Sequence, residues 1–211
     1  MTLFIRAKEL RRVFIASESN FGAKVARLGV LYEDLRIETF GIAEDDIPAM
    51  DQLDVRYRRA YFLRRSIATL LEFAEAIRHV EQCPEFESIA RMLGKNPTLE
   101  RYWRRASRFF DRKDEQLQRF RNDFGGHFGL EAARWAVLNL DGDATDGIEA
   151  GKYLYLRFAG EIAATAMQRQ GFGRNREQKI RNLIRLSRAG YRHATRCVHC
   201  VVTCYLWGKF G

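Results

Sequence analysis

An arginine and a histidine stand six positions apart in Arg121-Asn122-Asp123-Phe124-Gly125-Gly126-His127-Phe128. Arginine is a permanent cation that can grip a phosphate through two parallel hydrogen bonds. Histidine is the side chain best poised to move a proton near neutral pH. Together they can bind a phosphodiester and drive attack on it without a metal. Gly125 and Gly126 permit a backbone turn that other residues resist, and they keep bulky side chains away from an approaching phosphate. An ordinary structural role accounts for the same residues. Arg121 then interacts with the C-terminus of its own helix, and His127 is a turn residue packed near Phe124 and Phe128.

Spacing alone does not single this segment out. Arg188 precedes His193 and Arg192 precedes His199 at similar distances. Both of those pairs lie inside one unbroken helical pattern, and Ala189 and His193 follow their arginines. At 121–127 a polar follower, a helix end and a glycine turn coincide.

Long helices must deliver these residues. Residues 3–17 and 23–38 read as two helices, or as one interrupted near Ser19-Asn20-Phe21-Gly22. Gly41 to Asp51 reads as an acidic linker. Over 52–81, Ala60, Leu63, Ile67, Leu70, Ala74 and Ile77 recur at three-and-four spacing and form one apolar stripe. Pro84 ends that helix, and a short one is expected over 86–93. Thr98 can cap the next helix. Its stripe is Leu99, Trp103, Ala106, Phe110, Leu117 and Phe120, interrupted by Lys113, and it carries Arg121 to its C-terminal end. A short helix comes next, from Gly129 to Leu140, then a Gly/Asp-rich loop from Asp141 to Lys152. Residues 153–169 look helical, with Leu154, Phe158, Ile162 and Ala166 inward. After a break at 171–175, a last helix runs from about 176 to 207. The expected fold is all-α. The expected organisation is an N-terminal helical extension with the acidic linker over 1–50, a helical bundle over 51–170, and a C-terminal helix over 171–211 that packs on the bundle.

The segment 121–127 resembles the Arg-x(4–6)-His motif of HEPN-domain proteins, in which a polar residue often follows the arginine, as Asn122 does here. The resemblance implies an up-down helical bundle of HEPN type, here with extra N- and C-terminal helices, and a metal-independent endoribonuclease. In such proteins two copies of the motif meet across a homodimer. Carried over, Arg121 holds the scissile phosphate, His127 acts as general base or acid, and Asn122 orients the pair or binds phosphate. Asp123 fixes the imidazole tautomer or meets helix-end groups, and Gly125 and Gly126 form the turn. The resemblance also implies RNA as substrate, a toxin or phage-defence role, and a nucleotidyltransferase-type antitoxin as partner. The runner-up reading is a helical module that binds nucleic acid, a nucleotide or a protein without chemistry.

The remaining chemistry is weaker. His193, Cys197, Cys200 and Cys204 have zinc-like residue types, but on one helix they span about 16 Å and cannot share one metal. They continue an apolar seam with Leu183, Leu186, Gly190 and Trp207. Asp141 to Ile148 has the look of a calcium loop, yet its glycine is one residue late and Lys152 stands where the bidentate Glu belongs. No metal and no cofactor is expected. Tyr102, Trp103 and Phe110 alternate with arginines. Of these, Trp103 and Phe110 belong to the core stripe, while Arg104, Arg105, Arg108 and Arg112 form a wet face that can contact RNA.

Composition agrees with an anionic partner. The chain has 211 residues, net charge +9 and hydrophobic residues at 46%, with a pI of about 9.6. Arginine outnumbers lysine by about four to one, which a codon bias explains as well as a function does. No apolar run is long enough to span a bilayer. The N-terminus lacks the apolar core of a secretory signal. A cytoplasmic protein with reduced thiols, not attached to a membrane, is expected.

Overall fold

The computed structural model describes residues 6–15, 20–43, 52–124, 129–139, 162–169 and 173–210. Among them the only regular elements are helices, and no strand is present. The helices are α1 (Ala7–Ile15), α2 (Phe21–Ala43), α3 (Gln52–Glu81), α4 (Phe86–Gly94), α5 (Pro97–Phe124) and α6 (Leu130–Leu138). They are followed by α7 over 162–169 and α8 (Arg176–Phe210). The chain is therefore all-α, as its periodicity predicts.

Several ends differ from the sequence expectation for local reasons. Helix α2 continues through Gly41 to Ala43, so the first part of the expected linker is helical. Gly41 is needed there because a Cβ would lie 2.4 Å from the Phe62 ring of α3. At the start of α5 the cap is Asn96, not Thr98. The Asn96 Oδ1 accepts hydrogen bonds from the backbone N–H of Thr98 at 3.1 Å and of Leu99 at 3.3 Å. A short amide one residue before Pro97 satisfies two orphan helix donors that Thr98, already inside the first turn, cannot reach. Helix α8 is capped in the same way by Asn175, whose Oδ1 accepts from Gln178 N–H at 2.9 Å. The loop expected at 141–152, with Lys152, and the inward positions Leu154 and Phe158 lie outside the described residues.

The helices divide between two compact units, each drawn from separate stretches of chain. The first comprises residues 1–33, 72–112 and 192–211. Its core joins Phe73 to Phe110, Phe86 to Trp103 and Phe21 to Tyr205, with ring centroids 5.2–5.4 Å apart. Lys24 Nζ donates to the buried Cys83 Sγ at 2.9 Å, tying α2 to the turn after α3.

The second unit comprises residues 34–71 and 113–191. Leu35, Leu63, Ile67, Leu70, Leu117 and Leu183 are buried in it almost completely. A small polar seam runs through this apolar core. Ser66 Oγ donates to the Leu63 carbonyl at 2.9 Å and lies 2.8 Å from Ser187 Oγ. The buried Glu38 accepts from Thr69 Oγ1 at 3.0 Å and faces Arg65 at 3.6 Å. These partners offset part of the penalty for burying the two serines and the Oε1 of Glu38, whose Oε2 is buried without a hydrogen bond. At Gly190 a Cβ would lie 2.4 Å from a methyl of Leu70, which has no exposed surface into which to retreat.

Two glycine substitutions in helix interiors should therefore move stability in opposite directions. Gly190→Ala adds a methyl to a filled contact, and overpacking of that kind costs about 1–3 kcal/mol. Gly29→Ala, in α2, meets nothing within 4 Å, so it should stabilise by about 0.5–1 kcal/mol through helix propensity. Thermal or denaturant unfolding of the two variants reads both signs.

Candidate functional site

Arg121 and Asn122 occupy the last turn of α5. Both are exposed, while Leu117 and Phe120 just before them are buried. The apolar stripe thus reaches the last turns of the helix, where Arg121 and Asn122 are exposed. Gly125, Gly126 and His127 lie outside the described residues, as does the side chain of Asp123. The structure therefore positions two of the motif's polar groups at a helix end.

The four arginines singled out on α5 do not share one environment. Arg104 is 2.5 Å from the Glu100 carboxylate one turn earlier, a surface pair that satisfies its charge locally. Arg105, Arg108 and Arg112 are exposed. Arg101 joins Arg105, Arg108 and Arg112 at four-three-four spacing and is exposed too.

In the first unit this line neighbours residues of α8 that sequence reasoning assigned elsewhere. His193, expected within the apolar seam, is half-buried and stacks on Phe109 with ring centroids 4.5 Å apart and planes 17° from parallel. Its Nδ1 is buried with no hydrogen-bond partner. Arg196 sits over the Tyr102 ring, 5.3 Å from its centroid, a cation–π contact. Burial pushes the His193 pKa below its ordinary value, and the guanidinium groups of Arg196, Arg192 and Arg105 push it further the same way. Three cations thus converge near one imidazole.

A signal for α8 was present in the sequence. From residue 178 to the end the chain contains no aspartate or glutamate, yet Arg181, Arg185, Arg188, Arg192 and Arg196 succeed one another at helical spacing. Arg181, Arg185, Arg188 and Arg192 are all exposed. Glu177, the one acid at the helix start, pairs with Arg181.

The cysteines of α8 serve the core. Cys197, Cys200 and Cys204 are buried free thiols. Burial raises all three thiol pKa values, Cys197 well above the ordinary value and Cys200 to about 11, with neighbouring groups adding to the shift at those two positions. Cys200 Sγ donates to the Leu99 carbonyl at 3.3 Å. Protonated thiols are poor nucleophiles and poor metal ligands. Among the described residues no cluster of His, Cys, Asp or Glu could hold a metal ion, and no helix is long and apolar enough to cross a membrane.

Comparison with known protein families, with curated proteins and with solved structures found no match for this chain.

The environment of His193 has a measurable consequence. Its midpoint in an NMR titration should lie below the ordinary value of 6.5, and Arg196→Gln should raise it by removing the largest of the charge contributions. The native state then resists a proton that the unfolded chain accepts. This group's effect on stability is absent well above pH 6.5 and becomes a loss as pH falls from there through the lower folded midpoint. The loss should shrink in the Arg196→Gln variant.

Proposed function

We propose that this chain is a metal-independent endoribonuclease of HEPN type, with Arg121 and His127 as the working pair. The observation that carries this reading is the exposure of both Arg121 and Asn122 on the terminal turn of α5, with Gly125, Gly126 and His127 next in the sequence. An exposed guanidinium at a helix end is open to a phosphate, and the sequence supplies an imidazole six residues on. The net charge of +9 favours an anionic substrate.

The chemistry rests on those two side chains. The neutral His127 imidazole takes the proton of a ribose 2′-hydroxyl, and that oxygen attacks the adjacent phosphorus. Arg121 binds the non-bridging oxygens and offsets the charge that grows on them. The bond to the 5′-oxygen breaks, that oxygen is protonated, and a cyclic 2′,3′-phosphate remains. Asn122 donates an amide hydrogen bond to the phosphate or holds the pair in register, and Asp123 is the candidate for fixing the imidazole tautomer. The same reading takes the protein as a homodimer. Ile37 and Phe40 of α2 and Leu130, Val137 and Leu138 of α6, in the same unit as Arg121, are exposed apolar residues that such an interface can cover. A toxin or phage-defence role with an antitoxin partner accompanies the family reading. The second reading is nucleic-acid binding without cleavage. It is favoured by the arginines around His193, which gather cationic charge without recourse to Arg121.

The test is cleavage of single-stranded and structured RNA by purified protein in excess EDTA. Arg121→Ala and His127→Ala should each lower the rate by about 10²–10⁴-fold, with unchanged thermal unfolding, and the wild-type product should end in a cyclic phosphate. Equal cutting by all three proteins, or none by the wild type, overturns the nuclease reading.

A further inference from the structure

Three exposed arginines have a carboxylate one turn away: Arg104 has Glu100, Arg119 has Glu115 and Arg181 has Glu177. The face of the first unit that carries Arg105, Arg192 and Arg196 is different. These guanidinium groups come from two helices, α5 and α8, that meet through the Phe109–His193 stack and the Arg196–Tyr102 contact, with Arg105 one turn from Tyr102 and Arg192 next to His193. All three disfavour the charged form of His193. The carboxylates of α5 in this unit face elsewhere: Glu100 is engaged by Arg104, and Asp111 lies near Glu81. Helix α8 has none to offer here. Gathering like charges without counter-charge opposes folding, and an incoming polyanion relieves that cost. The arrangement is therefore better suited to a bound state than to a free one.

The aromatic residues narrow the class of polyanion. Tyr102 and Phe109 are half-buried on this same face. Tyr102 has a guanidinium over its ring, and Phe109 stacks on the His193 imidazole. Planar groups interleaved with guanidinium groups suit unpaired bases, which stack on rings and on arginine planes. A duplex hides its base faces, and an acidic peptide has none. Successive arginines along α5 lie about 5–6 Å apart, so Arg101, Arg105, Arg108 and Arg112 can meet consecutive phosphates along one strand.

We propose that this α5–α8 face is a binding surface for single-stranded RNA. In this assignment Arg105, Arg192 and Arg196 take phosphates and Tyr102 offers its ring to a base. The choice of RNA over DNA rests on the function proposed above, whereas the surface itself does not depend on cleavage. It uses residues of α8 that lie outside the stretch resembling HEPN proteins, and none of the Arg121–His127 pair.

The experiment is fluorescence anisotropy with a labelled single-stranded RNA, using the full chain carrying His127→Ala so that the probe stays intact. Adding Arg105→Gln, Arg192→Gln and Arg196→Gln together should weaken binding at least about tenfold. It should also reduce the slope of log K against log salt by about 2, that is about 0.7 for each lost phosphate contact on a single strand. Tyr102→Leu should weaken single-stranded binding and leave duplex binding unchanged. Arg119→Gln, at an exposed position paired with Glu115, should change neither affinity nor slope. If the triple variant is misfolded by thermal unfolding, Arg192→Gln alone, at an exposed position, should still lower the slope by about 0.7. Unchanged affinity and slope in folded variants overturn the surface. So does equal competition by polyglutamate of the same charge. Duplex binding as tight as single-stranded, with no effect of Tyr102→Leu, overturns the single-strand assignment. A chain that binds through this face but never cuts RNA leaves this inference standing and removes the nuclease reading. A chain that cuts through Arg121 while the triple variant binds normally does the reverse.

Discussion

The close approach of α8 to α3 at Gly190 constrains how α8 is presented in the second unit. A side chain at that position would collide with Leu70, and the Ser66–Ser187 hydrogen bond fixes the same contact from one turn away. Once Leu183, Leu186, Ser187 and Gly190 face inward, helical geometry leaves Arg181, Arg185, Arg188 and Arg192 outward. In the first unit α8 has its own division, with Cys197, Cys200 and Cys204 buried and Arg192 exposed. Packing therefore decides the chemistry of α8. It takes the thiols out of reactive service and leaves the helix surface to cations.

Helix α5 shows the same division on a simpler pattern. Its apolar stripe runs from Trp103 to Phe120, and all of Trp103, Ala106, Phe110, Leu117 and Phe120 are buried. Burial of Leu117 and Phe120 holds the end of the helix in the second unit, with Arg121 and Asn122 exposed on its last turn. The arginines between the stripe positions differ in kind. Those with a carboxylate one turn away are locally neutralised surface pairs and contribute little to folding. Those without one, notably Arg105, which with Arg192 and Arg196 disfavours the charged form of His193, raise the local potential and favour an anion.

Most helices were legible because hydrophobic periodicity is strong over long segments. The span 52–81 and the long α5 and α8 helices emerge with the stripes their spacing predicts. The ends were less legible. Asn96 caps α5 instead of Thr98 because the choice depends on which side chain reaches two free N–H groups. Helix α2 runs past Gly41 because a ring from α3 packs where its side chain would be, and nothing local announces that neighbour. His193 sits at seam spacing, yet stacking on Phe109 and the pressure of three arginines give it a polar edge of the core.

The sequence by itself determined the all-α class, the core stripes and the cationic balance, because each depends on residue type and spacing along one helix. It also contained the Arg121-Asn122 pair at a helix end and the acid-free stretch of α8. Tertiary structure alone decided which arginines stand together. Arg105 and Arg192 are far apart in the chain, and Glu100 neutralises Arg104 but not its neighbour Arg105. Charge is a property of composition, but the potential at a point depends on distance, and distances between helices are set by packing.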